Sequence, residues 1–162
     1  MEIRETHPFD LTPAEAAHLQ EALRTRVRLT GDIGEISLVA GVDASYVKGS
    51  NVIHAVVVAL GYPDLAVVER VAARTETSFP YIPGLLTFRE GPAVLKAFRK
   101  LRSEPDVIFF DGQGIAHPRG LGIASHIGVL LDRPTVGVAK SLLVGSVEEP
   151  GVTRGSTAPI IR

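Results

Sequence analysis

Apolar residues first recur at helical spacing, with Ala16, Leu19, Leu23 and Val27 falling on one face. Thr12-Pro13-Ala14-Glu15 precedes them, with a hydroxyl to cap the first turn, a proline whose fixed φ suits the first helical position, and Glu three residues after the cap. This pattern predicts a helix from Pro13 to about Thr30-Gly31. Beyond Gly31 the period changes. Val-rich runs over 36–47, 52–60 and 66–77 are separated by Lys48-Gly49-Ser50-Asn51 and Gly61-Tyr62-Pro63-Asp64, both favourable hairpin turns. Three such runs with short connections predict an antiparallel meander.

The second half alternates. Leu95, Phe98 and Leu101 suit a helix after Pro92, and Pro105 precedes the short apolar run 107–110, a buried strand. A second helix over 120–131 and a strand over 135–138, introduced by Pro134, follow. Helix and strand in alternation is the crossover pattern of parallel strands. The expected fold is therefore α/β: a mixed sheet of three antiparallel strands followed by parallel strands, flanked by helices. No linker or repeat divides the chain, so residues 1–162 are read as one domain.

Composition narrows the function classes. The 162 residues carry 17 Lys+Arg against 18 Asp+Glu, a formal charge of −1, so contact with nucleic acid would need a local basic surface or metal ions. With no Cys, disulfides, thiolate metal sites and Cys nucleophiles are excluded. The acidic stretch MEIRETHPFD has no apolar segment typical of a leader, and runs such as 55–60 are too short to cross a bilayer. A soluble, cytoplasmic protein with no membrane association is expected, and nothing in the chain calls for a protein partner.

Two carboxylates stand out because each follows a strand of apolar residues: Asp43 after Val39-Ala40-Gly41-Val42, and Asp111 after Val107-Ile108-Phe109-Phe110. Either alone reads as a strand-end residue facing water. Together, on neighbouring strands, they could bridge a hard, oxygen-loving cation such as Mg²⁺ at the carboxyl end of the sheet. A haloacid-dehalogenase-type phosphatase would also begin with such an Asp, but it requires a second Asp two positions on, where Ser45 stands. Glu90, just before the expected helix, would add a third oxygen ligand, and carboxylates around a divalent cation suit water activation at a phosphodiester. Lys140, after the last strand, could neutralise a phosphate.

In the run 78–88, Pro80 and Pro83 flank Tyr81-Ile82, so a stiff loop presents an aromatic and an aliphatic side chain. Packing on the core is the plain reading. A rigid apolar tip is also what proteins insert between bases to unstack a duplex. Glycines around Gly112-Gln113-Gly114 and Gly120-Leu121-Gly122 let backbone groups approach a ligand, as a pocket for an extruded base would require.

These segments together resemble endonuclease V. The matching blocks are 39–43, 80–86 with Phe88-Arg89-Glu90, Asp111-Gly112 with Gly114, Ala116 and His117, Ala124-Ser125-His126, and Gly137-Val138-Ala139-Lys140, in that family's order from about Leu38 onward. The resemblance implies a ribonuclease H-like fold and a DNA-repair endonuclease. It would cut the second phosphodiester on the 3′ side of deoxyinosine, with Mg²⁺ as cofactor and Mn²⁺ as its substitute. It further implies that Asp43, Asp111 and Glu90 hold the metal and are catalytic. His117 and Lys140 would lie near the scissile phosphate, Pro80, Tyr81, Ile82 and Pro83 would form a strand-separating wedge, and Gly84, Leu86, Gly112 and Ile123 would line the base pocket. Family members continue through a further strand and helices past the equivalent of 159–161, so a C-terminally shortened domain is expected.

Two other readings remain. One is a catalytically silent relative that only binds inosine-containing nucleic acid; the other is a metal-stabilised scaffold. DNA containing deaminated bases is the expected partner, with inosine-containing RNA left open because no reader of the 2′-hydroxyl is legible.

Overall fold

A computed structural model describes residues 1–4 and 6–161. Its order is α1 (Pro13–Arg24), β1 (Leu38–Ser45), β2 (Val52–Gly61), β3 (Val67–Glu76), α2 (Leu86–Lys100), β4 (Val107–Asp111), α3 (Ile123–Leu131), β5 (Thr135–Val138), β6 (Ser146–Val147) and β7 (Ile160–Ile161). Strands one to five form a single sheet in the order β3-β2-β1-β4-β5, with β6 and β7 a separate antiparallel pair. β1, β2 and β3 pair antiparallel, while β4 joins β1 and β5 joins β4 in parallel, as the sequence pattern predicts.

One sheet face is the core. Ala40 and Val42 of β1, Ile53, Ala55, Val57 and Ala59 of β2, and Ile108 and Phe110 of β4 alternate inward. They pack against Val94, Leu95 and Phe98 of α2 and Ile127, Leu130 and Leu131 of α3. Among the described residues no helix is long and apolar enough to cross a membrane.

Three helix boundaries depart from expectation. α1 keeps its capping box, with the Thr12 hydroxyl accepting from the Glu15 amide and the Glu15 carboxylate from the Thr12 amide, but stops at Arg24. Beyond Leu23 no residue of the segment is buried in the core, so nothing repays the cost of ordering further turns. α2 begins at Leu86 and runs through Pro92. An internal proline costs about 3 kcal/mol, but the two turns it interrupts bury Thr87, Phe88, Arg89 and Gly91, and that packing prevails. α3 begins at Ile123, because residues 120–122 form a tight approach to the β4–α3 loop. There the Gly122 amide donates to the Gly114 carbonyl at 2.8 Å, and a Cβ on Gly122 would lie 2.3 Å from the Gln113 carbonyl oxygen.

Candidate active site

The parallel register of β1 and β4 pairs Val39 with Val107 and Val42 with Phe110. Val42 and Phe110 point into the core, so the next residues, Asp43 and Asp111, leave adjacent strands at the same end and on the opposite, exposed face. Both line a cavity of about 550 Å³ together with Gly41, Val56, Phe109, Val138 and Lys140. Lys140 donates to Asp111 at 2.9 Å, and that hydrogen bond, then the charges of Asp111 and Asp43, raises the Lys140 pKa. The Asp43 carboxylate accepts from the Ala44 amide at 2.7 Å.

Glu90 stands on α2, outside the lining of that cavity, but close enough for its charge to be affected by Asp43 and Asp111. The sequence pattern sets it ahead of a helix; in the structure it is the fifth residue of one and half-buried. Burial, then the negative charge of Asp43, raises its pKa to about 7; Asp111 adds to the rise and Arg89 opposes it. The charges of Asp43 and Asp111 thus act on Glu90, although among the described residues no three acidic or imidazole side chains are drawn together as a ready-made ion cage. As a donor set the three suit a hard divalent cation: all are carboxylate oxygens, and none is tied up by an arginine ion pair among the described residues.

The Pro-rich loop divides into outward and inward parts. Pro80, Tyr81 and Pro83 are exposed, with Tyr81 at 56%. Ile82 instead turns inward and packs against Ala16, Phe79, Leu85 and Phe88. Both ends of the loop are clamped. At its start, buried Arg89 donates to the Phe79 carbonyl at 2.6 Å. At its end, the Gly84 carbonyl collects Gln20 Nε2 at 3.0 Å, His117 Nε2 at 2.9 Å and Arg119 Nη2 at 2.7 Å.

His117 is therefore not a cavity residue. It is 3% exposed, and its Nδ1 accepts from the Arg119 amide at 3.2 Å, which leaves Nε2–H to donate to Gly84. In this structure its ring serves as one of the clamps on the Gly84 carbonyl. Of the four residues expected around a base, Gly112 and Ile123 are neighbours: a Cβ on Gly112 (φ +152) would lie 2.7 Å from Ile123 Cγ2. Gly84 and half-buried Leu86 stand at the start of α2. Gln20 ties the two groups, donating to both the Gly84 and Leu121 carbonyls. None of the four lines the carboxylate cavity.

Sequence reasoning missed Gln20. Its signal was a polar residue between Ala16 and Leu23 on the apolar face of α1, which is fully buried in the structure.

The family model for Endonuclease V matches residues 21–162. Endonuclease V of Trichormus variabilis is 52% identical over 99% of this chain and 73% of its own length, and that of Nostoc punctiforme is 49% identical over the same shares. The crystal structure of Endonuclease V from Streptomyces avermitilis superposes with a TM-score of 0.89 at 43% identity, covering 100% of this chain and 72% of that one. Ciona intestinalis Endonuclease V, solved in complex with a 24mer DNA containing an inosine followed by a ribo-adenosine, superposes with a TM-score of 0.75 at 33% identity over 82% of this chain and 59% of that one.

Proposed function

The chain belongs to the endonuclease V family, metal-dependent nucleases that cleave DNA at deaminated bases such as inosine, and on that premise we propose that it hydrolyses the second phosphodiester 3′ to deoxyinosine with Mg²⁺ bound at Asp43, Asp111 and Glu90. The observation that carries this reading is the exit of Asp43 and Asp111 from neighbouring parallel strands into one cavity with Lys140. A divalent cation held there would supply charge neutralisation at the phosphate and a nucleophilic water at neutral pH.

The chain's own residues supply the rest. The Lys140 ammonium, exposed and tethered to Asp111, can swing to a phosphate oxygen without unfolding anything. Glu90, rooted in a packed helix, would give the site one ligand that does not wander, and its half-buried carboxylate would gain from a nearby cation because burial, then Asp43 and Asp111, disfavour its charge. The loop clamped at Phe79 and Gly84 holds Tyr81 out toward solvent, where it can enter a duplex beside the extruded base.

Incubation with Mg²⁺ and an end-labelled duplex containing one inosine tests the reading. A product ending one nucleotide beyond the lesion is expected, and Asp43→Asn or Asp111→Asn should each reduce cleavage at least a hundredfold with the fold intact. Inosine-dependent binding in Ca²⁺ without cleavage in Mg²⁺ would favour the silent relative. Cleavage that survives both substitutions would remove the proposed metal site.

A further inference from the structure

Tyr46 lies one residue beyond β1 and three beyond Asp43, on the turn leading to β2. Its ring sits 6.3 Å from that of Tyr81, tilted by 47°, and both rings reach solvent, Tyr46 at 36% and Tyr81 at 56% exposure. The Arg89 guanidinium lies against Tyr46, with Cζ 4.8 Å from the ring centroid.

Arg89 is costly to place there. It is 7% exposed, it has no carboxylate ion pair among the described residues, and its Nε is a buried nitrogen without a hydrogen-bond partner. Its Nη1 donates to the Phe79 carbonyl at 2.6 Å and its Nη2 to the Ser50 carbonyl at 3.1 Å. A single buried cation therefore fixes the root of the Tyr81 loop, the β1–β2 turn and the underside of the Tyr46 ring. Because α2 carries Arg89 next to Glu90, and β1 carries Asp43 shortly before Tyr46, the two tyrosines are held in register with the carboxylates.

We propose that Tyr46 is a second nucleic-acid-binding residue, forming with Tyr81 a two-ring face on which bases exposed by strand separation stack, with Arg89 as the strut that sets its geometry. Aromatic faces accept any base, so this face would contribute capture and duplex opening, and the choice of inosine would stay with the base pocket. The inference rests on the reading of Tyr81 as a wedge.

The test measures binding in Ca²⁺ to a duplex carrying inosine beside 2-aminopurine, whose fluorescence rises when it unstacks. Tyr46→Ala is expected to weaken capture roughly five- to twentyfold, in line with the loss of one stacked base, and to blunt the fluorescence rise. Tyr46→Phe should retain both. Tyr81→Ala should act similarly, and the double variant should bind better than independent losses would predict, because the rings share one face. Normal binding by Tyr46→Ala alongside weak binding by Tyr81→Ala would overturn the role of Tyr46 and leave the wedge standing. Normal binding by both would remove the wedge itself. Should Tyr46→Ala fail to fold, Tyr46→Leu keeps the apolar bulk without the π face; normal capture by that variant would overturn the inference.

Discussion

His7 and His126 meet through their Nε2 atoms at 2.7 Å, so one ring must donate and the other accept, and the two facing nitrogens cannot both be protonated. His126 is fully buried on α3, with the Phe88 ring edge-on at 5.4 Å, and His7 brings the N-terminal segment over Phe9 and Phe88. Burial, then His7 and His117, pushes the His126 pKa down to about 3.

Stability should follow that shift. The unfolded chain binds a proton at His126 near pH 6.5 and the folded chain does not, so the stabilisation is full above pH 6.5 and is lost as pH falls toward 3. Between pH 7.5 and pH 5 the loss from this group should be about 2 kcal/mol. Urea unfolding at the two pH values measures it, and His126→Phe should flatten the difference. An equally steep dependence in that variant would assign the effect to other groups.

Gln20 should matter more than its place on a surface helix suggests. It donates to two carbonyls and accepts from Arg119 Nε at 2.6 Å, so Gln20→Leu leaves buried partners unmatched. A stability loss of about 1–3 kcal/mol is expected, seen as a lower urea midpoint at unchanged slope. Inosine-duplex binding should weaken with it, because the clamp on Gly84 loosens. A variant as stable as the parent would show that the network is idle.

Lys140→Met separates chemistry from stability. The Lys140–Asp111 pair is exposed on the lysine side, and such pairs contribute little to folding. Cleavage should fall about tenfold or more if the ammonium meets a phosphate, while the melting temperature stays put. Unchanged cleavage would make the lysine a passive counter-charge.

Gly112→Val should lower the ratio of inosine to adenine cleavage. The added side chain would enter the space at Ile123 Cγ2, and the φ of +152 disfavours any L side chain, so some stability is lost as well. Mg²⁺ affinity should hold, because the proposed ligands are the side chains of other residues. An unchanged preference with normal folding would put base recognition elsewhere.

What the sequence determined by itself was whatever neighbouring residues decide. Strand periods of two gave the meander, the capping box at Thr12 and Glu15 gave the start of α1, and Pro134 with Thr135–Val138 gave β5. The motif blocks identified the family, because their order and spacing survive independently of packing. Local rules failed where distant contacts outbid them. Pro92 reads as a helix start until Phe88 and Arg89 are seen to be buried ahead of it, and nothing near Gln20 in the chain names the Gly84 and Leu121 carbonyls that it binds. The hydrogen bond from His117 to the Gly84 carbonyl likewise spans a distance in the chain that no local pattern reports. Tyr46 and Tyr81, far apart in sequence, meet because Arg89 binds the backbone on both sides of them. Contacts of that range leave no period or spacing in the chain, since their energy is gained only once the sheet and α2 have packed.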